Sequence, residues 1–392
     1  MPYRDRTSRP LNYRRGVTAR RRTQRRCSRC RGPGGRNLGL SDGVKNLRLI
    51  PRNLIDNVPR DTYTETKREP LKQFVKGGNI VKDRVHPELR CAFAGFLQSE
   101  FSDDVTKLRA TWVIPETERS PSVDIHSTWV KGLNGEPDVR VKVYKPVTTT
   151  PMAPLPVVIW IHGGGYILGH PDQDDGLCQR FVNDVHCVVV SVDYRLAPEN
   201  PFPAGLYDCY TVLEWIVSSS AELCVDANRI AVAGNSAGGG LTAGLTLLAR
   251  DRGGPRICFQ MPLYPMIDDR NVTPSSFEID DGRLWNRKNN IAAWQMYLGK
   301  SSAEDDISPY AAPSRATDLS GLPPTYTCIG ELDLFRDETT EYVSRLIHSG
   351  VPVEYHIYPG CFHGFELDVP EADISRSAMN EYVGALARAL HA

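Results

Sequence analysis

Long apolar segments are missing from this sequence. No stretch approaches the roughly 20 consecutive apolar residues that a membrane-spanning helix needs, so the sequence predicts no membrane span. The apolar fraction of 41% and the charged fraction of 24% are instead typical of a soluble globular protein. A chain of 392 residues accommodates either one large α/β domain with additions or two smaller domains.

A compact set of cysteines is also missing. The ten cysteines are scattered along the chain, and several fall inside predicted strands or helices, as do Cys187, Cys209, Cys258 and Cys328. This distribution excludes the dense disulfide framework of a small secreted domain. We therefore expect free thiols and a cytoplasmic, reducing location. Residues 115–392 contain no group of His, Cys and acidic residues with the spacing of metal ligands. We therefore expect no metal and no cofactor.

Lysine and acidic residues are nearly absent from the first 36 residues. This segment holds thirteen Arg, no Lys and one acid, so it carries +12 and leaves −12 on the rest of the chain. Because apolar residues are scarce there, residues 1–40 are predicted to be a basic disordered tail. The missing apolar segment also excludes a secretory signal.

Several roles remain open for the tail. Its positive charge is typical of a segment that contacts nucleic acid. Its Arg-rich, acid-poor composition is typical of an organelle transit peptide, but the tail lacks the amphipathic face of such a peptide. Cys27 and Cys30 have the spacing of half a zinc site, but no second pair lies nearby. We favour the interpretation in which the tail takes no part in the function.

The segment from residue 41 to residue 120 is polar, with short helical stretches. The clearest stretch has apolar residues at i, i+3, i+4, i+7 and i+8, namely Leu89, Ala92, Phe93, Phe96 and Leu97. This spacing indicates one apolar helix face. Such a helix either covers an active site or packs on the domain, and the pattern by itself does not distinguish the two.

From residue 121 onward, predicted strands alternate with predicted helices. Val139, Val141 and Val143 alternate with polar residues, which favours a half-exposed antiparallel strand. Apolar runs typical of buried parallel strands occur at 157–161, 187–192, 230–233, 257–261 and 326–329, followed by a weaker run at 353–358. Helices are predicted at 175–184, 205–219, 237–251, 338–349 and 375–390. This order predicts a parallel sheet with helices on both faces.

The sequence Gly-Asn-Ser-Ala-Gly at residues 234–238 lies between a predicted strand and a predicted helix. The spacing Gly-x-Ser-x-Gly suits a sharp turn that leaves no room for side chains two positions before and after the serine. Ser236 would then stand at a helix N-terminus, where amide groups favour an oxyanion. Ser236 is the candidate nucleophile.

A serine nucleophile needs a base, and the base needs an acid that orients it. Asp333 follows the buried run at 326–329, and His363 follows the last predicted strand. The chain order Ser236, Asp333, His363 is that of an α/β-hydrolase triad. Asp337 is the rival acid, but we predict that it caps the following helix.

An oxyanion hole needs backbone amides that point at the developing charge. Gly163, Gly164 and Gly165 follow the strand predicted at 157–161, and glycines allow close approach of the backbone to a substrate. The amide of Ala237, directly after the nucleophile, is the second expected source.

Four motifs together resemble the hormone-sensitive-lipase-like family of α/β-hydrolase esterases. They occupy residues 162–165, 193–199, 234–239 and 358–364, and the likeness covers about residues 85–392. The resemblance implies an α/β-hydrolase fold with a mostly parallel eight-stranded sheet, flanking helices and a helical cap. It also implies hydrolysis of small carboxylic esters without a metal.

Site roles and domains follow from the resemblance. It implies Ser236 as nucleophile, His363 as base and Asp333 as its orienter, with oxyanion donors at Gly164, Gly165 and Ala237 and with Gly163 shaping the turn. It divides the chain into a cap segment at 41–120 and a catalytic domain at 121–392 with a cap insertion at about 268–305. Asn235 stands where the family often has Asp, which leaves the subgroup and pH profile open.

Other interpretations stay open at this stage. The residues proposed to line an apolar substrate pocket are Phe93, Phe96, Trp285 and Trp294, and core packing explains them equally well. The same triad occurs in amidases and N-deacylases, so these activities remain alternatives. A non-catalytic small-molecule receptor of the same fold is a further alternative. The glycines at 163–169, with Asp193 at the next strand end, weakly suggest a dinucleotide-binding oxidoreductase. No motif in the sequence indicates the oligomeric state or the natural ester substrate.

Overall fold

The computed structural model describes residues 80–96, 104–112, 114, 116–147, 153–299 and 306–392. The basic tail, Cys27, Cys30 and Leu97 lie outside the described residues. Eight strands are present in the described part: β1 (Val123–Val130), β2 (Val139–Pro146), β3 (Leu155–Ile161), β4 (Val188–Asp193), β5 (Val225–Asn235), β6 (Phe259–Leu263), β7 (Thr325–Leu332) and β8 (Val353–Phe362).

The strands form one sheet in the order β1-β2-β4-β3-β5-β6-β7-β8. β2 pairs antiparallel with β1 and with β4, and the other neighbouring pairs are parallel. This confirms the predicted mostly parallel, eight-stranded sheet. Because β3, β6, β7 and the second half of β5 are central and almost wholly buried, their apolar runs were readable in the sequence.

Helices connect and cover the strands. Those in the described part are α1 (Ile80–Arg84), α2 (Arg90–Gly95), α3 (Val105–Thr111), α4 (Asp175–Arg180), α5 (Ala204–Ser218), α6 (Ser220–Leu223), α7 (Ala237–Asp251), α8 (Pro274–Glu278), α9 (Arg287–Leu298), α10 (Arg336–His348), α11 (Phe365–Asp368) and α12 (Asp373–His391). The insertion between β6 and β7 contains α8 and α9. No helix of the described residues has the length and apolar character required to cross a membrane.

Two predicted elements differ from the structure. The predicted apolar helix near residue 93 ends at Gly95, because Phe96 has an extended backbone with ψ of 132°. The face of β2 predicted to be half exposed is covered, and Lys142 is only 7% exposed. Its ammonium lies 2.6 Å from Asp175 and 2.7 Å from Asp172, so ion pairs from α4 and the turn before it hold the charge.

Candidate active site

Ser236 occupies the sharp turn between β5 and α7. Its backbone has φ of 55° and ψ of −118°, a conformation that non-glycine residues rarely adopt. A Cβ on Gly234 would lie 2.5 Å from the carbonyl oxygen of Ile161, and one on Gly238 would lie 2.0 Å from the same oxygen. The two glycines are therefore required by the close approach of β3, as the motif predicted.

Three side chains from three loops meet at this turn. His363 Nε2 lies 2.8 Å from Ser236 Oγ, and His363 Nδ1 lies 2.6 Å from Asp333 Oδ2. Asp333 follows β7 and His363 follows β8, so the carboxyl ends of neighbouring parallel strands bring them together. The serine, imidazole and carboxylate form one continuous hydrogen-bonded chain.

The imidazole is held in a constrained, mostly apolar environment. Asp333 is fully buried, and its second oxygen accepts the amide of Phe335 at 2.9 Å. The rings of Tyr264 and Phe335 each meet His363 edge-on, at centroid distances of 5.1 Å and 5.2 Å. Burial alone lowers the pKa of His363, but the charge and hydrogen bond of Asp333 outweigh it, and the pKa is raised above 6.5.

Asp337 makes a different set of contacts. It lies within the first turn of α10 and accepts the amide of Ser275 at 2.7 Å and the Arg336 guanidinium at 2.8 Å. The predicted capping role is wrong, since α10 begins at Arg336, two residues earlier than predicted, and Phe335 occupies the cap position. Asp337 instead joins α10 to the start of α8, and Asp333 is the carboxylate at His363.

The glycine loop after β3 lies beside Ser236. Gly164 and Gly165 have φ of 123° and 61°, values that disfavour side chains. A Cβ on Gly165 would lie 2.5 Å from the Trp285 ring, and one on Gly163 would lie 2.9 Å from the Asn235 side-chain oxygen. The loop therefore has room for backbone only, which leaves its edge accessible to a small molecule in the adjoining cavity.

A cavity of about 600 Å³ opens on Ser236 and His363. Its apolar wall includes Trp112, Leu177, Leu284 and Trp285. This volume falls within the range of sites that enclose small organic ligands. Segments before β1 and after β6 thus contribute part of the wall, together with the catalytic loops.

Of the four aromatic residues predicted to line the pocket, only Trp285 is in the cavity wall. Phe93 and Phe96 pack on Phe362 instead, at centroid distances of 5.9 Å and 5.4 Å. Trp294 is 2% exposed and packs on Tyr166 at 5.4 Å. The predicted pocket roles of Phe93, Phe96 and Trp294 are corrected: each side chain packs on a neighbouring aromatic ring, and Phe93 and Trp294 are buried.

Two buried carboxyl groups in the cavity wall, those of Asp174 and Glu366, were not predicted from the sequence. Glu366 stands three residues after the catalytic histidine, in a segment that is otherwise apolar, and this was the available signal. Asp174 lies in a run of acidic residues that resembles an exposed helix start, so its sequence gave no indication of burial. The charged groups at this cavity therefore had to be located from the structure.

Asn235 also lies in the cavity wall, but Asp193 and Arg195 do not. The side-chain oxygen of Asn235 is buried without a hydrogen-bond partner in the described residues. Arg195 pairs with Asp208 at 2.8 Å, and Asp193 pairs with Arg140 at 3.1 Å. The Asp193 and Arg195 pairs brace the loop after β4, so both residues have a structural role here.

The described residues contain no group of three or more His, Cys, Asp or Glu side chains arranged to hold a metal ion. A Cβ on Gly169 would lie 2.3 Å from the carbonyl oxygen of Gly163, so internal packing of the loop explains this glycine. The glycine spacing that suggested a dinucleotide site is thereby accounted for without a nucleotide.

A serine at a strand–helix turn, with histidine and a buried acid from later strand ends, defines a serine hydrolase of the α/β-hydrolase fold. Comparison with known proteins agrees. Residues 158–367 match the family model described as the alpha/beta hydrolase fold. The carboxylesterase NlhH of Mycobacterium tuberculosis is 38% identical over 293 residues, which cover 74% of this chain and 90% of that protein.

Two further matches extend the comparison. Esterase LipI of Mycobacterium tuberculosis is 36% identical over 253 residues, covering 64% of this chain and 79% of that protein. The solved structure of a bacterial heroin esterase has a TM-score of 0.74 and 39% identity, covering 79% of this chain and 99% of that one. The chain belongs to the hormone-sensitive-lipase-like family of α/β-hydrolase esterases.

Proposed function

We propose that this enzyme, a carboxylic ester hydrolase by family, cleaves esters of short to medium acyl chains through an acyl-enzyme on Ser236. The observation that carries the proposal is the continuous hydrogen-bonded chain from Ser236 through His363 to Asp333, with distances of 2.8 Å and 2.6 Å. A cavity of about 600 Å³ beside the serine supports a substrate of modest size.

Acylation begins when His363 Nε2 takes the proton of Ser236 Oγ as the oxygen attacks the ester carbonyl carbon. The tetrahedral oxyanion accepts hydrogen bonds from the amides of Gly164, Gly165 and Ala237, while Gly163 shapes the turn. Ala237 is the first residue of α7, and amides of a helix's first turn have no partner within the helix. His363 then returns the proton to the departing alkoxide, and the alcohol leaves.

Deacylation repeats these steps with water in place of serine. His363 removes a proton from water, hydroxide attacks the acyl carbon, and the bond to Ser236 Oγ breaks as the imidazolium returns the proton. Asp333 keeps the proton on Nδ1 while the imidazole is neutral and stabilises the imidazolium when it forms. Its complete burial makes this interaction strong.

A cap over the site is part of the proposal. Trp112 from the segment before β1, and Leu284 and Trp285 from the insertion after β6, line the cavity. This supports the division into a cap segment at 41–120, a cap insertion at about 268–305 and a catalytic domain at 121–392. We also propose a cytoplasmic location, which is supported by the free state of all eight cysteines in the described residues.

Covalent labelling tests the function directly. A fluorophosphonate should label the protein at Ser236, and Ser236→Ala should lower kcat by roughly 10⁴-fold or more with unchanged melting temperature. The matched control is Ser344→Ala, at an exposed position of α10, which should keep both activity and labelling. Labelling at another serine in active protein would refute the mechanism. Esters from acetyl to long-chain acyl and one aryl amide, assayed side by side, test the acyl range and the amidase alternative.

A further inference from the structure

The cavity beside the triad carries an excess of carboxyl groups. Besides Ser236 and His363, its wall contains the acids Asp174, Glu366 and Asp368. Asp174 ends the short turn before α4, whereas the other two lie on α11, directly after the catalytic histidine. Two separate segments of the fold thus place acids in one small cavity, and a neutral ester would use none of them.

Glu366 has the least satisfied environment of the three. The residue is 1% exposed, and its Oε1 accepts the hydroxyl of Tyr264 at 2.6 Å. Its Oε2 is buried and has no hydrogen-bond partner among the described residues. Burial raises the pKa of Glu366 to about 7. An unpaired buried carboxylate is costly, and a cation beside it would remove much of that cost.

Asp174 is also buried at the cavity wall. It is 4% exposed, and its Oδ2 accepts the indole N–H of Trp160 at 2.8 Å. Burial is also the main cause that raises the pKa of Asp174, to about 7. Its neighbours Asp172 and Asp175 differ, because both pair with Lys142 on the other side of the turn.

The positive side chains at the cavity are engaged elsewhere. Arg180 pairs with Asp184 at 3.1 Å, and Arg283 pairs with Asp281 at 2.6 Å. The third positive candidate, His363, is held by Asp333. Within the part of the chain that the structure describes, no ion pair neutralises Asp174, Glu366 or Asp368. A positively charged group of a ligand would therefore meet acids in the cavity wall that no ion pair of the described residues already engages.

Aromatic rings accompany these acids. Trp112 lines the cavity with 41% of its surface exposed, and its N–H donates to Gln173 at 3.1 Å. Trp285 lines the same cavity beside Gly165. Indole faces attract ammonium groups, and quaternary ammonium groups in particular are recognised by aromatic rings together with carboxylates.

We infer that Glu366, with Asp174 and Asp368, forms a cation subsite in this cavity, which selects carboxylic esters carrying a protonated or quaternary amine. The inference rests on the ester hydrolase function proposed above and adds the charge of the substrate to it. The ester carbonyl would lie at Ser236, and the ammonium group would occupy the acidic wall. The hydrolytic steps are unchanged, because the ammonium group takes no part in bond making or breaking.

A pair of isosteric esters tests the subsite. Acetylcholine and 3,3-dimethylbutyl acetate have the same shape, and they differ by one positive charge. The wild-type enzyme should show the higher kcat/KM with acetylcholine, and Glu366→Gln should lower the ratio of the two kcat/KM values roughly tenfold or more, as expected for losing a charged partner. The ratio within one preparation cancels losses of active protein, and comparing the ratio between wild type and variant cancels differences in intrinsic ester reactivity. Glutamine can still accept the Tyr264 hydroxyl.

The matched control is Glu371→Gln, an exposed acid that lies outside the cavity wall. It should leave the ratio unchanged. Asp368→Asn is the second test variant and should lower the ratio less than Glu366→Gln, because Asp368 is exposed. A ratio that is equal in wild type and Glu366→Gln, or a wild-type preference for the neutral ester, would overturn the subsite.

Binding without turnover separates this inference from the proposed function. Ser236→Ala protein should bind choline more tightly than 3,3-dimethylbutan-1-ol, measured by calorimetry or by tryptophan fluorescence of the cavity wall. Adding Glu366→Gln should remove that difference. If neither ester is cleaved and Ser236 is not labelled, the hydrolase mechanism fails, whereas selective choline binding still supports the subsite. Equal binding of the two alcohols would refute the subsite even in an active enzyme.

Discussion

Replacing Asp333 by asparagine exchanges one oxygen of the triad carboxylate for an NH₂ group. The carboxylate accepts the Nδ1–H of His363 at 2.6 Å, so a lone pair of Nε2 is available to Ser236. An asparagine NH₂ at that position would donate to Nδ1 and drive the proton to Nε2. The imidazole would then be in the tautomer that cannot accept the serine proton.

The expected loss in kcat is roughly 10³–10⁴-fold, equivalent to about 4–5.5 kcal/mol of transition-state stabilisation. The other oxygen of Asp333 accepts the Phe335 amide at 2.9 Å, and asparagine can keep this bond with its carbonyl oxygen. The melting temperature should therefore change little. Turnover of a neutral acetate ester and a thermal melt, measured on the same preparation, test both expectations.

Asp337→Asn is the matched control for this variant. Asp337 lies four residues further on and accepts the Ser275 amide and the Arg336 guanidinium, away from the imidazole. Its replacement should reduce kcat less than tenfold, although loss of the link to α8 lowers stability. The reasoning is refuted if Asp337→Asn costs more activity than Asp333→Asn, or if Asp333→Asn stays within tenfold of wild type.

Two further predictions concern pH and the tail. Because His363 must be neutral to act as base and its pKa is raised, kcat/KM for a neutral ester should fall with decreasing pH through an apparent pKa above 6.5. A profile that stays flat down to pH 5 would contradict this. Deleting residues 1–40 should leave kcat, KM and melting temperature nearly unchanged at physiological salt, since the segment has too little apolar surface to offset an ordering entropy of about 1–2 kcal/mol per residue. A melting temperature several degrees lower would show that the tail is docked.

The sheet was predictable because its central strands are buried on both faces. Such strands are mostly apolar, so β3 and the second half of β5 stood out as runs of Val, Ile and Ala, and β7 as a shorter run of buried residues, without any knowledge of their neighbours. β2 was harder to interpret, since its alternation is typical of a half-exposed strand. Lys142 is buried there because Asp172 and Asp175, distant in sequence, supply its counter-charges.

The positions of the nucleophile, base and acid were also readable from the chain. Ser236 lies in a glycine-flanked turn, and Asp333 and His363 follow strands whose carboxyl ends lie on one edge of the sheet. Local geometry and chain order therefore carry this information. Asp333 was predicted as the triad acid, in preference to Asp337, from its position in the sequence alone. In the structure, Asp333 is the residue that contacts the imidazole of His363.

Only the tertiary structure shows which residues line the cavity. An apolar helix stripe has the same sequence pattern whether it faces a cavity or a neighbouring ring, so Phe93, Phe96 and Trp294 were assigned to a pocket that they do not line. Likewise, acids in a polar run give no sign of burial, and Asp174 is buried.

The sequence by itself thus determined most of the elements, the order of the triad and the turn at Ser236, because these depend largely on neighbouring residues. Only tertiary packing decided which side chains share the cavity with Ser236 and which charges there lack partners. Glu366 is the clearest case: its position after His363 is local information, but its burial and its unpaired oxygen depend on what packs around α11. Burial and charge pairing depend on the three-dimensional arrangement of residues that are far apart in the chain.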